Sequence, residues 1–399
     1  MPSSQNQDAQ NHGAGRGTIR ALAGARALPP LVIVLYHFSE GHHYTGLLWL
    51  DRFLTRGYLW VEFFFVLSGF ILTHVYGARL RQLLTWRGYG VFLRARLIRL
   101  YPLHLFMLLV VLGLVVVLRA LAGLGGYHSI FDLPYHQDVS VKGFVLSLFL
   151  VQGWHTMDRL TWNGLSWFVS VEFALCLLFP VVLWFAAKGK LWRAACLIAA
   201  GLGGLVALLL IRGRGLDMTY DWGVVRGLSE FLVGAGLAIL FARLSRLTIP
   251  DAVHTGIQLF LLALLTGSFV FTGWSHTFND IYTVVPMMAL VLALAFDRGV
   301  LARALQWGPL QRLGDWSYAV YLGQTALLLL IRFCDQRVFP PDATPVLGTS
   351  YGALMWWLQP LLLVGAAILW GAFLAEWVEK PATRFLRARL DPRSVRAPS

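Results

Sequence analysis

Ten apolar runs divide this chain at short intervals: residues 19–38, 58–77, 100–122, 164–187, 194–211, 223–242, 252–271, 281–297, 316–335 and 353–376. Between them lie short stretches where arginine, lysine and turn-forming residues gather. A helix needs about 20 apolar residues to cross the hydrocarbon core of a bilayer. The pattern therefore predicts an all-α integral membrane protein, a polytopic bundle of about ten transmembrane helices. An eleventh apolar segment, 143–155, is short and reads as re-entrant or interfacial on the outer side. The first run lacks a small-residue cleavage site and is followed by further spans, so it reads as a helix rather than a signal peptide. Pro29 and Pro30 near its start either open that helix or kink it.

Composition agrees with the pattern. Of 399 residues, 57% are hydrophobic and 13% charged, with a mean hydropathy of +0.64. Soluble domains carry roughly a quarter charged residues. These values exclude a soluble enzyme, a disordered chain and a small secreted module. The net charge of +13 would suggest nucleic acid in a soluble protein. Here the basic residues sit between apolar runs and report orientation instead. With the N-terminus inside, 23 of the 33 Lys and Arg fall on the inner side and nine on the outer side, and Arg226 falls within a span. Both termini are then cytoplasmic, and the implied partner is the lipid bilayer rather than nucleic acid. The chain divides into a disordered cytoplasmic tail (1–18), one membrane domain (19–379) and a basic cytoplasmic tail (380–399).

Cys176, Cys196 and Cys334 show no metal-ligand or disulfide spacing and read as small core residues. There is no P-loop, zinc-binding spacing, dinucleotide fingerprint or G-x-S-x-G elbow. Neither a metal nor a bound redox cofactor is expected.

Ionisable side chains inside spans are costly and usually face a bundle interior or a wet cavity. Four stand out: His37, Glu62, Glu172 and Glu230. Arg226 precedes Glu230 by four residues on one helix face, as an internal ion pair or as part of a substrate cavity. Ser68 and Gly69 are small enough for close helix approach. Arg26 lies eleven residues before His37, about 16 Å along a helix and close to three turns. Arg94, Arg96 and Arg99 precede Tyr101-Pro102. They suit either a positive-inside anchor or a site for an anionic cytoplasmic ligand, because guanidinium groups grip phosphates bidentately.

Seven blocks in order resemble the membrane-bound acyltransferase 3 family of bacterial-type O-acyltransferases. RALPPLVIVLYHF places Arg26 and His37 on the family's Arg-x10-His signature. GYLWVEFFFVLSGFIL places Glu62 at its acidic position. RARLIRLYPLHL is similar to the Arg-rich block, and LSWFVSVEFALCLLFP places Glu172 at a second acidic position. RGLSEFLVGAGLA, LGDWSYAVYLGQTALL and VEKPATRF complete the set. The chain departs from the family at three of these blocks. Gln324 stands where a His is common, and glutamine cannot titrate near neutrality. Glu62 replaces Asp, and the fourth block lacks its Tyr. The esterase-like C-terminal domain frequent in the family is absent, which implies that any handover step falls to another protein.

The resemblance implies transfer of an acyl group, acetyl first among them, from acyl-CoA as co-substrate to a hydroxyl. The acceptor would be a glycan such as a surface polysaccharide, exopolysaccharide or lipid-linked glycan. The enzyme would lie in the bacterial inner membrane, beside other polysaccharide-assembly proteins. His37 would act as general base on the hydroxyl, or carry the acyl group itself. Glu62 or Glu172 would orient its ring or bind the acceptor. Arg26, Arg94, Arg96 and Arg99 would hold CoA phosphates. The substrate-binding candidates, in or beside the blocks, are Ser68, Asn163, Trp167, Arg226, Glu230, Tyr318 and Gln324. A transporter, or a trans-membrane acyl-group carrier without acceptor chemistry, is the alternative class.

Overall fold

The computed structural model describes residues 18–39, 48–125, 138–186, 189–213, 215–271, 278–338 and 350–390. The chain runs through α1 (Arg20–Ala25), α2 (Leu28–Ser39), α3 (Leu48–Thr55), α4 (Trp60–Tyr76) and α5 (Trp86–Gly125). Next come α6 (Val141–Leu148), α7 (Trp167–Ala186), α8 (Leu191–Arg212), α9 (Gly223–Leu244) and α10 (Asp251–Phe271). Then follow α11 (Asn279–Leu294), α12 (Val300–Leu305), α13 (Gly308–Val338), α14 (Ser350–Phe373) and α15 (Lys380–Leu390). Among the described residues, one isolated β-bridge, Asp138 to Thr161, is the sole extended pairing. In lipid every backbone polar group must be satisfied within the protein, and helices do this within one segment.

All ten predicted runs fall on helix, but eight helical stretches among the described residues are long and apolar enough to cross a membrane. Two runs differ for physical reasons. The helix α11 has 16 residues. The helix α13 carries Gln311, Arg312, Asp315 and Gln324, which dilute its apolar character.

The first span is two helices. It breaks at Arg26-Ala27, and Pro29 and Pro30 stand in the first turn of α2. Proline is tolerated there because its missing N–H would have no intrahelical acceptor. The prolines therefore open α2 rather than kink it. The unsatisfied N–H groups at the start of α1 find a carboxylate elsewhere: Arg20 N and Ala21 N donate to Asp297 at 3.0 and 2.6 Å. Such a cap satisfies orphan donors and complements the helix dipole.

The centre of the bundle is the close pairing of α4 with α9, with α8 on the far side of α9. Two glycines permit it. A methyl group at Gly69 would collide with the Phe231 carbonyl, and one at Gly234 with the Val66 carbonyl. Of the Ser68-Gly69 pair, Gly69 thus permits the close helix approach that the sequence suggested. Around this pair, α5, α7 and α13 complete a core that includes Phe65, Leu103, Phe179 and Tyr321. Large apolar side chains such as Val181, Trp184, Ile211, Phe260 and Leu369 face outwards, as a lipid-facing surface requires.

The short segment 143–155 does not cross. It forms the eight-residue helix α6 and a loop folded over the start of α7. His104 Nε2 bonds to the Ser147 carbonyl at 2.8 Å. Ser170 Oγ donates to the Leu150 carbonyl at 2.8 Å and accepts from Gly153 N at 3.0 Å.

Two further expectations change. The first half of the basic C-terminal tail is helical: a π-helical turn over Leu374–Glu379 leads directly into α15, whose Thr383 hydroxyl donates to the Ile98 carbonyl at 3.3 Å. Cys176 is buried, but Cys196 is exposed, because it lies on a face of α8 turned away from α9. Residues 1–17 and 391–399, which hold the remainder of the predicted tails, lie outside the described residues, as do Lys188 and Arg214. Nothing is described of the Cys334 side chain.

Candidate active site

Five helices leave a cavity of about 330 Å³ at the arginine-rich end of the bundle. Helical period decides which side chains reach it. Ser68 comes from α4, Glu172 from α7 and Tyr318 with Tyr321 from α13. Arg96 and Arg99 are three apart on α5 and share a face. Arg26 reaches the cavity from the break between α1 and α2. Six of the predicted site residues therefore meet in one place: Arg26, Ser68, Arg96, Arg99, Glu172 and Tyr318.

Its chemistry is uneven. Three guanidinium groups line the cavity against the single carboxylate of Glu172. The Ser68 hydroxyl donates to Glu172 Oε1 at 2.5 Å, a short, charge-assisted bond. Tyr318 OH donates to the Leu100 carbonyl at 2.7 Å, which ties α13 to α5. Other polar atoms on the lining are buried without a hydrogen-bond partner: Glu172 Oε2, Ser317 Oγ and Tyr321 OH. Leaving a buried polar group unpaired costs about 1–3 kcal/mol. Several such groups around one positively lined cavity fit a polar, anionic ligand. The packing of Arg96 against aromatic rings fixes its direction, with the guanidinium 5.6 Å from the Phe92 centroid and 5.9 Å from that of Tyr76.

Arg94 does not line the cavity. It is two residues from Arg96 and five from Arg99, about 200° and 500° around the helix at 3.6 residues per turn. Its side chain points away from the face that the other two share.

Glu62, Arg226 and Glu230 form a separate cluster, nearer the end of the bundle where α4 begins. The Arg226 guanidinium donates to Glu62 Oε1 from Nη2 at 2.5 Å and from Nε at 3.0 Å. It also donates to the Met218 carbonyl at 2.8 Å and lies 5.5 Å from the Trp167 ring centroid. Glu230 is 3.8 Å from Arg226 Nε, the longer of the two ion pairs. All three charged side chains are at most 1% exposed. The i,i+4 spacing pointed to Glu230 as the arginine's partner, but the tighter partner is Glu62 on another helix. The cluster clamps α4 to α9 and does not line the cavity. Trp167 is likewise a wall of the clamp rather than of the cavity.

Asn163 and Gln324 sit in a third buried group. Asn163 Nδ2 donates to the Leu322 carbonyl at 3.1 Å and its Oδ1 accepts from Thr325 Oγ1 at 2.7 Å. Gln324 Nε2 donates to the Tyr321 carbonyl at 3.0 Å, and its Oε1 is buried without a partner. The bonds join the start of α7 to α13.

His37 stands in the last turn of α2, half-buried, with its ring 4.8 Å from that of Tyr36. One turn earlier, Val34 packs with Val320 and Leu363. His37 does not line the arginine cavity; it lies at the other end of the helical segment that begins beside Arg26. Sequence reasoning had not singled out Ser317 and Tyr321, although both lie in the quoted block LGDWSYAVYLGQTALL, one residue before Tyr318 and three after it.

Residues 19–376 match the model of the acyltransferase 3 family, described as an acyltransferase domain. The chain is similar to "Acyltransferase MdmB" of Streptomyces mycarofaciens, 28% identical over 420 residues that cover 95% of this chain and 96% of that protein. It is also similar to "Putative peptidoglycan O-acetyltransferase YrhL" of Bacillus subtilis (strain 168), 24% identical over 340 residues, 78% of this chain and 49% of that one. A shorter match, 38% identical over 87 residues, is to "Protein 2 in picA locus" of Rhizobium radiobacter, covering 22% of this chain and 40% of that protein. No solved structure matches. An all-helical membrane bundle, a match over nearly the whole membrane domain and acyltransferase relatives lead to one conclusion: the chain belongs to the acyltransferase 3 family of membrane acyltransferases.

Proposed function

We propose that this protein transfers an acyl group, acetyl in the first instance, from acyl-CoA to a hydroxyl of a glycan or lipid-linked glycan. The observation that carries this reading is the cavity lined by Arg26, Arg96 and Arg99 with the Ser68–Glu172 pair inside it. Guanidinium groups recognise phosphate and stabilise the oxyanion that forms when a thioester carbonyl is attacked. A thioester is activated enough to need no metal. The acceptor hydroxyl, with a pKa far above neutrality, needs a base. His37 fills that role at the far end of α2, its imidazole removing the proton during attack. The family resemblance supports both assignments.

The Lys and Arg distribution supports a bacterial inner-membrane location with the arginine cavity towards the cytoplasm, where acyl-CoA is made. The acceptor would approach from the His37 end, drawn from a surface polysaccharide, exopolysaccharide or glycolipid, with polysaccharide-assembly proteins as neighbours. The "peptidoglycan O-acetyltransferase" name of the Bacillus relative supports a glycan hydroxyl. No cofactor is held in this reading; acyl-CoA is a substrate.

The test is transfer by the purified protein in lipid nanodiscs, with acetyl-CoA and a panel of glycan acceptors, read as CoA release. Acceptor-dependent release in the wild type, lost in a folded His37→Ala variant, is the expected result. Transfer at the wild-type rate by His37→Ala would remove the histidine from the mechanism.

A further inference from the structure

We propose that Ser68 takes the acyl group first, as a covalent ester, with Glu172 as its base. This rests on the acyl-CoA donor reading and adds an intermediate to it.

Several features converge on the pair. Ser68 is the cavity hydroxyl whose proton already points at a carboxylate, at 2.5 Å. Nucleophile and base are within hydrogen-bond reach before any substrate arrives, as activated nucleophiles require. Tyr318 spends its hydroxyl on the Leu100 carbonyl, so it does not compete for Glu172. The second oxygen, Glu172 Oε2, is buried without a partner. It is free to carry a proton from one reacting atom to another. Arg26, Arg96 and Arg99 line the same space and supply positive charge around the pair. His37, the other nucleophile candidate, is not on this lining. A group bound by the arginines meets Ser68 before it can meet the imidazole.

The chemistry balances as two ester exchanges. In the first, Ser68 Oγ attacks the thioester carbonyl and its proton passes to Glu172. The C–O bond to Ser68 forms, the C–S bond breaks, and the thiolate leaves with the proton that Glu172 held. In the second, the acceptor oxygen attacks the Ser68 ester and passes its proton to Glu172, which takes the base role there because His37 is not on this lining. The C–O bond to Ser68 breaks, and that proton restores the Ser68 hydroxyl. No oxidant, reductant or metal enters.

The test mixes nanodisc-embedded protein with radiolabelled acetyl-CoA and no acceptor, and follows CoA release and peptide mass. The expected result is a burst of about one CoA per protein, with an acetyl group on the peptide that holds Ser68. Ser68→Ala gives neither burst nor adduct while still binding acetyl-CoA. Glu172→Gln slows the burst by about 100-fold or more. Ser68→Cys recovers an adduct that hydroxylamine removes. An adduct mapped to His37, or no burst from wild-type protein that binds acetyl-CoA, overturns the intermediate and leaves the donor reading standing. Failure to bind acetyl-, succinyl- or longer acyl-CoA overturns both. Peptide mapping on the wild type decides the matter even where Ser68→Ala does not fold.

Discussion

Ser68 and Glu172, 104 residues apart in sequence, meet at 2.5 Å where α4 and α7 border the arginine cavity. One supplies a hydroxyl and the other the carboxylate that accepts its proton. The arginines of α5 and of the α1–α2 break supply positive charge around them. The pairing gives the cavity a reactive centre as well as a binding surface.

Glu172→Gln keeps the shape and the hydrogen bond to Ser68 but removes the base. Its turnover falls by at least about 100-fold, with acyl-CoA affinity little changed. Measuring kcat and donor binding in parallel checks this. A fall in affinity with unchanged turnover would make Glu172 a binding group instead.

The clamp predicts a stability effect with no direct part in chemistry. Arg226→Ala leaves two buried carboxylates, Glu62 and Glu230, without their counter-charge. Breaking one side of a buried ion pair costs about 3–5 kcal/mol. Thermal unfolding in detergent should show a large fall in Tm for Arg226→Ala and for Glu62→Ala. Coupling in the double-mutant cycle should exceed that of either residue with Arg94.

Gly69→Val and Gly234→Val place side chains against the carbonyls of Phe231 and Val66. Both should lower folded yield and Tm by forcing α4 and α9 apart, whereas Gly113→Ala meets nothing within contact distance and should be neutral. Size-exclusion profiles of the three variants separate these outcomes.

The arginines of α5 should not be equivalent. Arg96→Ala and Arg99→Ala each weaken acyl-CoA binding by about tenfold or more, the loss of one charge-assisted phosphate contact. Arg94→Ala, on the other face of α5, weakens it less. Equal losses at all three positions would mean that a diffuse surface charge, not the cavity, attracts the donor.

The spans were legible because lipid permits few alternatives: a run of apolar residues with satisfied backbone is a helix. The opening of α2 by Pro29 and Pro30 follows from the same logic, since a proline costs nothing where an N–H has no acceptor. The cavity was legible in part. Glu172 stood out as an ionisable side chain inside a span, the family blocks gave Arg26, Ser68 and Tyr318 their site roles, and nothing in periodicity alone brings α4, α7 and α13 together. The Glu62–Arg226 pair joins positions 164 apart, so local spacing favoured Glu230 instead. Arg94 was open to correction from sequence, because only Arg96 and Arg99 of the three share a helix face. The Gln324 amide bonds within α13, to the Tyr321 carbonyl, a contact that residue type alone does not reveal.

Binding of acetyl-CoA, measured by calorimetry on the wild type, His37→Ala and the Arg96→Ala/Arg99→Ala double variant, tests the central claim most directly. Acetyl-CoA should bind at micromolar concentration, with binding that survives loss of His37 and disappears with the two arginines. Unchanged binding in the double variant, or no binding of any acyl-CoA by the wild type, would contradict it.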